Sequence, residues 1–437
     1  MVNNHWKNCP PEETIEKITK ALREFDIELQ IEWSKDMNPM NIYSNFVRAF
    51  DQPPTMKSAG KGITPLYSQA SGYAEFIERF QTFMMFYREY SRSYFKDEKV
   101  NVQYNECEYP YLDLLTGQPR VMSSAICYST GMASGNTDKE AIVHAICEVV
   151  ERQTLMDFCY GDVVVNSKIP KTAFKFPFYE LEERINGKVQ LFDIGRFGIP
   201  TVALVCRNEL TRQLVFHIDT APTLELAVER CLTEFFQNNN FDDSMRYFYW
   251  QGDCETDGDT LYGILMDYHL GPVPGSKIKL LEDAPVRERI IEYNFTEDSL
   301  IQQFIKGCKE IYNYSGVYLR DFKWAGFPTV YIYVPDLIKK EHPNITWSKV
   351  YSNIFTYFIE EYDAYDGTAY YLLEALAKEL MEMYFGKPDP ILIMKRQRAL
   401  NIRNPYATAT SEMLAKMRQK TLDFEMDISY FKTLLNI

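Results

Sequence analysis

Pairs of glutamates inside apolar helical segments constrain this chain more than any other feature of its sequence. The segments YAEFIERF (73–80) and AICEVVERQT (145–154) each carry two glutamates, three residues apart. Residues with this spacing lie on the same face of an α-helix. Because the remaining positions are mostly Phe, Ile, Val, Ala and Cys, neither helix has a wide polar face. We therefore expect the carboxylates to be partly buried.

Buried carboxylates are costly unless they are paired with cations or bind a metal ion. The pairs Glu75 with Glu78 and Glu148 with Glu151 lie on two separate predicted helices. If the helices converge on a cleft, four carboxylates would suit Mg²⁺, which prefers oxygen ligands and often shares them with phosphate groups. The alternative is that each ExxER string is an exposed helix face with weak ion pairs. The repeated pattern in apolar surroundings favours a metal-bridged phosphate site.

A glycine-bearing segment precedes each of these two helices. SAGKGIT (58–64) places Lys61 between glycines, and STGMASGNT (129–137) ends in Asn136-Thr137 directly before a helix. We expect both segments to be loops whose backbone N–H groups can face an anion. Neither contains G-x-x-x-x-G-K-[ST], so a P-loop nucleotide site is excluded.

Helical and strand-like segments alternate irregularly along the chain. This predicts an α+β fold in which the glutamate-bearing helices pack on mixed sheets. The predicted helices cover 10–27, 68–90, 138–160 and 223–239. The predicted strands cover 43–50, part of 118–130, 188–195, 199–208 and two stretches of 316–337. GPVPGSK (271–277) is a candidate boundary, and the last hundred residues are expected to be mostly helical.

Charge and composition exclude several classes of function. The 437 residues carry a formal net charge of −14 without a basic stripe, so we expect no nucleic-acid partner. No apolar run approaches the ~20 residues that span a bilayer, and the N-terminus lacks the apolar region of a signal peptide. The nine cysteines are scattered without a CxxC pair. This pattern is typical of reduced thiols and indicates a cytoplasmic protein.

Three segments resemble the ATP-site segments of the YcaO family. They are GKGIT…ASGYAEFIERF, STGMASGNTDKEAIVHAICEVVERQ and LAVERCLTEFFQ. In addition, VYLRDFKWAGFPTVYIYVPDL resembles the strand pair that follows the ATP site in that family. The likeness runs from about residue 11 to about residue 345. It implies a YcaO-type ATP-binding domain over 1–345 and a mostly helical region, 346–437, packed on the same domain.

The resemblance implies ATP and Mg²⁺ as cofactors and a peptide or protein as substrate. In better-known members, the γ-phosphate goes to the oxygen of a backbone amide, and the activated amide is then attacked. A Cys, Ser or Thr side chain yields an azoline, sulfide yields a thioamide and an amine yields an amidine. Thioamide and azoline formation remain equally open for this chain.

The resemblance also assigns residues. Glu75, Glu78, Glu148 and Glu151 match the family's carboxylates for Mg²⁺ and phosphate. The positions that match residues around the nucleotide are Lys61, Ser71, Arg79, Asn136, Glu140, His144 and Arg152, with Glu229, Arg230, Glu234 and Gln237 in the third segment. His144 is expected to be a hydrogen-bond donor that faces the ligand. No further catalytic residue is identified.

Two features distinguish the chain from azoline-forming members. It ends in MDISYFKTLLNI, without alternating prolines, and no leader-peptide-binding domain precedes residue 11. We therefore expect a stand-alone member that works with a partner such as an E1-like or TfuA-like protein, and a homodimer remains open. One alternative function is a nucleotide-binding regulator without catalysis, which the complete set of four glutamates disfavours. Another is a two-metal hydrolase, for which no water-activating base is identified.

Overall fold

The chain folds into helices packed on three antiparallel sheets. A computed structural model describes residues 6–34, 41–49, 57–95, 108–123, 130–160, 165–208, 210, 213–236, 249–250, 281–286, 293–339 and 411–437. Its helices are α1 (Pro11–Arg23), α2 (Pro65–Phe95), α3 (Asp138–Tyr160), α4 (Phe178–Ile185), α5 (Leu224–Phe235), α6 (Glu297–Glu310), α7 (Pro335–Lys339), α8 (Ser411–Asp423) and α9 (Ile428–Leu435). None of these helices is long and apolar enough to cross a membrane.

The strands form one three-stranded and two five-stranded sheets. They are β1 (Leu29–Trp33), β2 (Tyr43–Ala49), β3 (Lys57–Gly62), β4 (Glu108–Asp113), β5 (Pro119–Ser123), β6 (Met132–Ser134), β7 (Ser167–Ile169), β8 (Gly187–Asp193), β9 (Thr201–Asn208), β10 (Gln213–Thr220), β11 (Tyr249–Trp250), β12 (Tyr318–Asp321) and β13 (Thr329–Tyr333). Their orders are β1-β2-β3, β11-β10-β9-β8-β7 and β5-β4-β12-β13-β6.

Helix α2 lies close against the three-stranded sheet. Two glycines permit this approach, because a Cβ on Gly60 of β3 would come within 2.7 Å of the backbone nitrogen of Gly72 on α2. Helix α1 packs on α2. It begins with Pro11 and has Glu12 and Glu13 in its first turn, where carboxylates interact favourably with the helix dipole. The tight packing places the glutamates of α2 beside strand β3.

Helix α3 connects the two five-stranded sheets. It packs on β6 and β13 of one sheet and on β10 of the other. Its apolar residues, including Ile146 and Val149, belong to a cluster that also contains Val330 and Ile332 of β13. Helix α5 packs on β9 and β10 and also contacts β3. The helices α2, α3 and α5 therefore converge where the three sheets meet.

The C-terminal helix belongs to the same core as α3. Phe431 and Leu435 of α9 are buried in the cluster that contains Ile146 and Val149. Residues 346–410 lie outside the described part of the chain. The division at residue 345 therefore stays a prediction.

The expected α+β class is confirmed, with one difference in the sheets. Every pairing among the described strands is antiparallel, whereas mixed sheets were expected. The four predicted helices appear as α1, α2, α3 and α5, and the predicted strands appear as β2, β5, β8, β9, β12 and β13. The candidate boundary 271–277 and most of the last hundred residues lie outside the described part.

The expectation of two glycine loops was wrong at both segments. Residues 57–62 form strand β3, and Met132–Ser134 form strand β6 inside the second segment. In both cases, a neighbouring strand provides the hydrogen-bond ladder, since β3 pairs with β2 and β6 pairs with β13. Pairing partners distant in sequence thus outweigh the local preference of glycine for turns.

Candidate nucleotide site

The glutamates of α2 and α3 come together in the structure. Burial raises the pKa of Glu78 well above its usual range, and the nearby carboxylates of Glu148 and Glu75 raise it further. Burial also raises the pKa of Glu148 to about 7, although Arg152 opposes this shift. Two helices therefore present carboxylates to one another in a place that water solvates poorly. Such mutual repulsion is what a divalent cation relieves.

Backbone amides and arginines hold these carboxylates in place. Glu75 accepts a hydrogen bond from the Ala59 N–H at 2.8 Å and forms an ion pair with Arg79. Glu148 accepts a hydrogen bond from the Gly131 N–H at 3.0 Å. Backbone N–H groups of β3 and of the turn before β6 thus provide these contacts, rather than side chains. This explains how glycine-bearing strands serve a site built from helices.

The same arrangement continues along α3. The side chain of Glu151 is 5% exposed and lies 3.3 Å from one terminal nitrogen of Arg152. The other terminal nitrogen of Arg152 lies 3.8 Å from Glu148. Arg152 therefore neutralises part of the negative charge of both glutamates.

The carboxylates suit Mg²⁺ better than a metal held only by protein. Among the described residues, no group of three His, Cys, Asp or Glu side chains could hold a metal ion. Mg²⁺ usually takes one or two carboxylates and completes its shell with water and phosphate oxygens. Glu78 and Glu148 are partly buried, and the charge of Glu148 acts unfavourably on Glu78, so the pair fits that role.

Cationic side chains also lie between β3 and α5. Lys61 forms an ion pair with Glu234, and burial lowers the pKa of Lys61 to about 8. Arg230 contacts Asp219 through its inner nitrogen at 2.8 Å. The charges of Arg230 and Glu151 also act on Lys61. The predicted Lys61, Arg152, Arg230 and Glu234 therefore belong to one partly buried group of charges.

Glu140 lies at the start of α3 and is fully engaged by protein groups. Its carboxylate, 5% exposed, accepts hydrogen bonds from Lys7 Nζ at 3.2 Å and from the Asn8 backbone at 3.1 Å. The predicted Asn136 donates to it at 3.2 Å. Lys7 and Asn8 lie outside the segments that carry the family resemblance, and no pattern around them indicated this contact.

His144 lies one turn further along α3. Its Nδ1 is buried and has no hydrogen-bond partner among the described residues. Burial lowers its pKa well below the usual range, and the positive charges of Arg230 and Lys7 lower it further. His144 is therefore a neutral imidazole whose Nδ1 is available to a ligand, and its expected role stays a prediction.

Three predicted residues remain, and they differ in their burial and in whether the structure describes them. Ser71 is half-buried on α2. Glu229 is 8% exposed, its Oε2 has no hydrogen-bond partner among the described residues, and burial raises its pKa to about 7. Gln237 lies outside the described part of the chain.

Two residues of β10 were missed by the sequence analysis. His217 and Asp219 are buried beside α5, and burial lowers the pKa of His217 to about 3. A signal was present in the segment LVFHIDT, where polar residues alternate with Phe216 and Ile218 in an otherwise apolar strand. Residues two apart on a strand share a face, so the two polar side chains lie together.

Comparison with known proteins identifies the family of this chain. Residues 89–338 match the family model described as YcaO cyclodehydratase, ATP- and Mg²⁺-binding. This match covers more than half of the chain, which therefore belongs to the YcaO family. The family's description confirms the expectation of ATP and Mg²⁺ as cofactors. The matched range begins after Glu75 and Glu78, so it does not include the first glutamate pair. No curated protein matches the chain.

A solved heterocyclase structure supports the fold, and a second YcaO structure is also similar. A heterocyclase in complex with substrate and cofactor has a TM-score of 0.51 and 17% identity, over 76% of this chain and 53% of that protein. The chain thus spans about half the length of this heterocyclase. YcaO from Methanopyrus kandleri, bound with AMPPCP and Mg²⁺, has a TM-score of 0.48 and 18% identity, over 75% of this chain and 91% of that protein.

Proposed function

We propose that this protein uses ATP to phosphorylate the oxygen of a backbone amide in a ribosomally made peptide or protein. The observation that carries the proposal is the meeting of Glu78 and Glu148, from two helices, in buried surroundings that raise the pKa of both carboxyls. This arrangement is unfavourable without a cation and suits a site for a metal-bound nucleotide.

The glutamates would hold Mg²⁺ with the phosphates, and the surrounding polar residues would hold ATP. The proposed metal set is Glu75, Glu78, Glu148 and Glu151, of which Glu78 and Glu148 would contact the ion together with phosphate oxygens and water. The nucleotide-holding set is Lys61, Ser71, Arg79, Asn136, Glu140, His144, Arg152, Glu229, Arg230, Glu234 and Gln237. When bound, Mg²⁺ supplies charge neutralisation at the phosphate oxygens.

The chain's own residues supply positioning and charge. Three cations belong to the partly buried group of charges: Lys61, Arg152 and Arg230. Their charges act more strongly there than in water. A backbone amide oxygen is a weak nucleophile, so its in-line placement against the phosphorus provides much of the rate enhancement.

The proposed reaction has two steps. The amide oxygen forms a bond to the γ-phosphorus as the bond to ADP breaks. A nucleophile then attacks the amide carbon, and phosphate leaves with the former amide oxygen. A Cys, Ser or Thr side chain would give an azoline, and sulfide would give a thioamide. An E1-like or TfuA-like partner and a homodimer stay predictions.

Heavy-oxygen labelling tests the reaction directly. The purified protein is incubated with Mg-ATP, with or without sulfide, and a short synthetic peptide that contains Cys, Ser and Thr and whose backbone amides carry heavy oxygen. We expect the label to appear in inorganic phosphate. The peptide's mass then shows loss of water or replacement of oxygen by sulfur. Phosphate that carries oxygen from solvent alone would indicate a hydrolase and contradict the proposal. Tight binding of Mg-ATP without any phosphate release would favour the catalytically silent regulator.

A further inference from the structure

Asp219 is a buried carboxylate that the family resemblance does not assign. It is 1% exposed on β10 and lies opposite Val202 of β9. The neighbouring Phe216 and Ile218 lie in an apolar cluster with Phe158 of α3, whereas Val202 lies in a cluster with apolar residues of α5. Asp219 therefore faces the α5 side of the sheet. An aspartate in such a place destabilises the fold unless cations compensate it.

Arg230 provides the closest compensation. Its inner nitrogen, Nε, lies 2.8 Å from Asp219 Oδ1. Oδ1 nevertheless has no hydrogen-bond partner among the described residues, so the contact is a close ion pair without hydrogen-bond alignment. The terminal nitrogens of Arg230 form no hydrogen bond with a described residue. Their charge acts on Glu148 and Glu151 of α3.

A second aspartate of the same sheet shows what a purely structural role looks like. Asp193 on β8 is 2% exposed. It accepts hydrogen bonds from Asn166 Nδ2 and from the Gly195 N–H, both at 3.1 Å. Asp193 thus fixes a turn through aligned hydrogen bonds to neutral groups. Asp219 instead lies among Arg230, Lys61, Arg152 and Glu151, the charged residues of the nucleotide site.

We propose that Asp219 is a positioning residue for the nucleotide: it holds the inner nitrogen of Arg230 and thereby directs the two terminal nitrogens toward the phosphates. A guanidinium presents its donors in a fixed fork, so an anchor at Nε determines where the terminal pair points. This inference rests on the proposed function, because it requires Mg-ATP to bind beside Arg230.

A double-mutant cycle on Mg-ATP affinity tests the proposal. Calorimetry is performed on the parent, Asp219→Asn, Arg230→Gln and the double variant. We expect Asp219→Asn to weaken binding about tenfold in the parent, within the range of directly coupled residues. In the Arg230→Gln background, the same change should have no effect. Asp193→Asn serves as the matched control and should leave Mg-ATP affinity unchanged.

Three outcomes would overturn the inference. One is an equal loss of affinity in both backgrounds, which would show that Asp219 acts independently of Arg230. Another is tighter binding by Asp219→Asn, which would make Asp219 a competitor of the phosphates. The third is unchanged binding. If the parent itself does not bind Mg-ATP, the proposed function fails and this inference fails with it.

A second variant keeps the test decisive if Asp219→Asn does not fold. Arg230→Lys keeps the positive charge but has no inner nitrogen for Asp219 to hold. We expect it to weaken Mg-ATP binding about as much as Arg230→Gln does. Parent-like affinity of Arg230→Lys would show that the charge alone is sufficient, and would contradict a positioning role.

Discussion

The middle and the C-terminal part of helix α3 carry polar groups of opposite character. Near its C-terminal end, Gln153 and Asp157 are joined by a 2.8 Å hydrogen bond. Tyr314 donates to Gln153 at 2.5 Å, and Tyr312 and Arg196 donate to Asp157 at 2.7 and 3.3 Å. Both side-chain polar atoms of Gln153 and of Asp157 are thus hydrogen-bonded. This part of the helix has what a stable buried network needs.

The hydrogen bonds and charges of the preceding turns of α3 are not satisfied in the same way. His144 has a buried nitrogen without a hydrogen-bond partner among the described residues. Glu148 faces Glu78, and burial raises the pKa of both carboxyls. The comparison teaches that burial alone does not indicate function. A satisfied network fixes the helix, whereas unsatisfied groups and like charges on the same helix mark a place suited to a ligand.

The largest effect is expected from removing the metal. If the glutamates need Mg²⁺ to accept phosphates, ATP binding in EDTA should be on the order of 100-fold weaker, since uncompensated buried charges cost ~3 kcal/mol or more. Calorimetric titration of ATP with and without Mg²⁺ measures this, and adding excess Mg²⁺ back should restore affinity. Equally tight binding in EDTA would remove the metal from the account.

A smaller loss is expected when single cations are removed. Lys61→Ala and Arg152→Ala should each weaken Mg-ATP binding by ~1.5–3 kcal/mol, the value of a charge-assisted hydrogen bond. Lys306→Ala is a suitable control, because Lys306 forms an exposed pair with Glu310 at 3.9 Å on α6. Parent-like affinity of both site variants would show that neither residue touches phosphate.

A substitution in the C-terminal part of α3 should change the stability of the protein but not its affinity for Mg-ATP. Tyr314→Phe removes the donor to Gln153 and leaves a buried acceptor without its partner. We expect a loss of ~1–2 kcal/mol in the free energy of unfolding, measured with urea, and unchanged affinity for Mg-ATP. Weaker nucleotide binding with unchanged stability would contradict the structural role assigned to the C-terminal part of α3.

A still smaller effect should appear in the pH dependence of the ligand-free protein. The folded state raises the pKa of Glu148 from 4.5 to about 7 and so binds more protons than the unfolded state between these values. This contribution is fully present below pH ~4.5 and is lost as the pH rises through 7.

Urea unfolding of the parent and of Glu148→Gln isolates this contribution from other titrating groups. The stability of Glu148→Gln relative to the parent should increase by about 1 kcal/mol from pH 5 to pH 8, because the exposed fifth of the side chain reduces the full effect. A relative stability that falls with rising pH would mean that Glu148 prefers its charged form in the folded protein.

The sequence predicted the helical part of the site better than the sheets beneath it. The glutamate spacing on α2 and α3 is a local property, so the faces of both helices could be predicted. Lys61 was placed in a loop because Gly60 and Gly62 favour turns, yet β2 pairs with this segment. Such pairing depends on distant residues. The contacts of Lys7 with Glu140 and of Asp219 with Arg230 likewise join segments far apart in the chain.

The measurement that tests the central claim most directly is the thermal shift of Glu148→Gln. Melting curves are recorded for the parent and the variant, each with and without Mg-ATP. Because Glu148 lies against Glu78 in the ligand-free protein, the variant should be as stable as the parent or more so. It should also lose most of the stabilisation by Mg-ATP, since that stabilisation follows affinity. A full Mg-ATP shift in Glu148→Gln would contradict the account and remove Glu148 from the site.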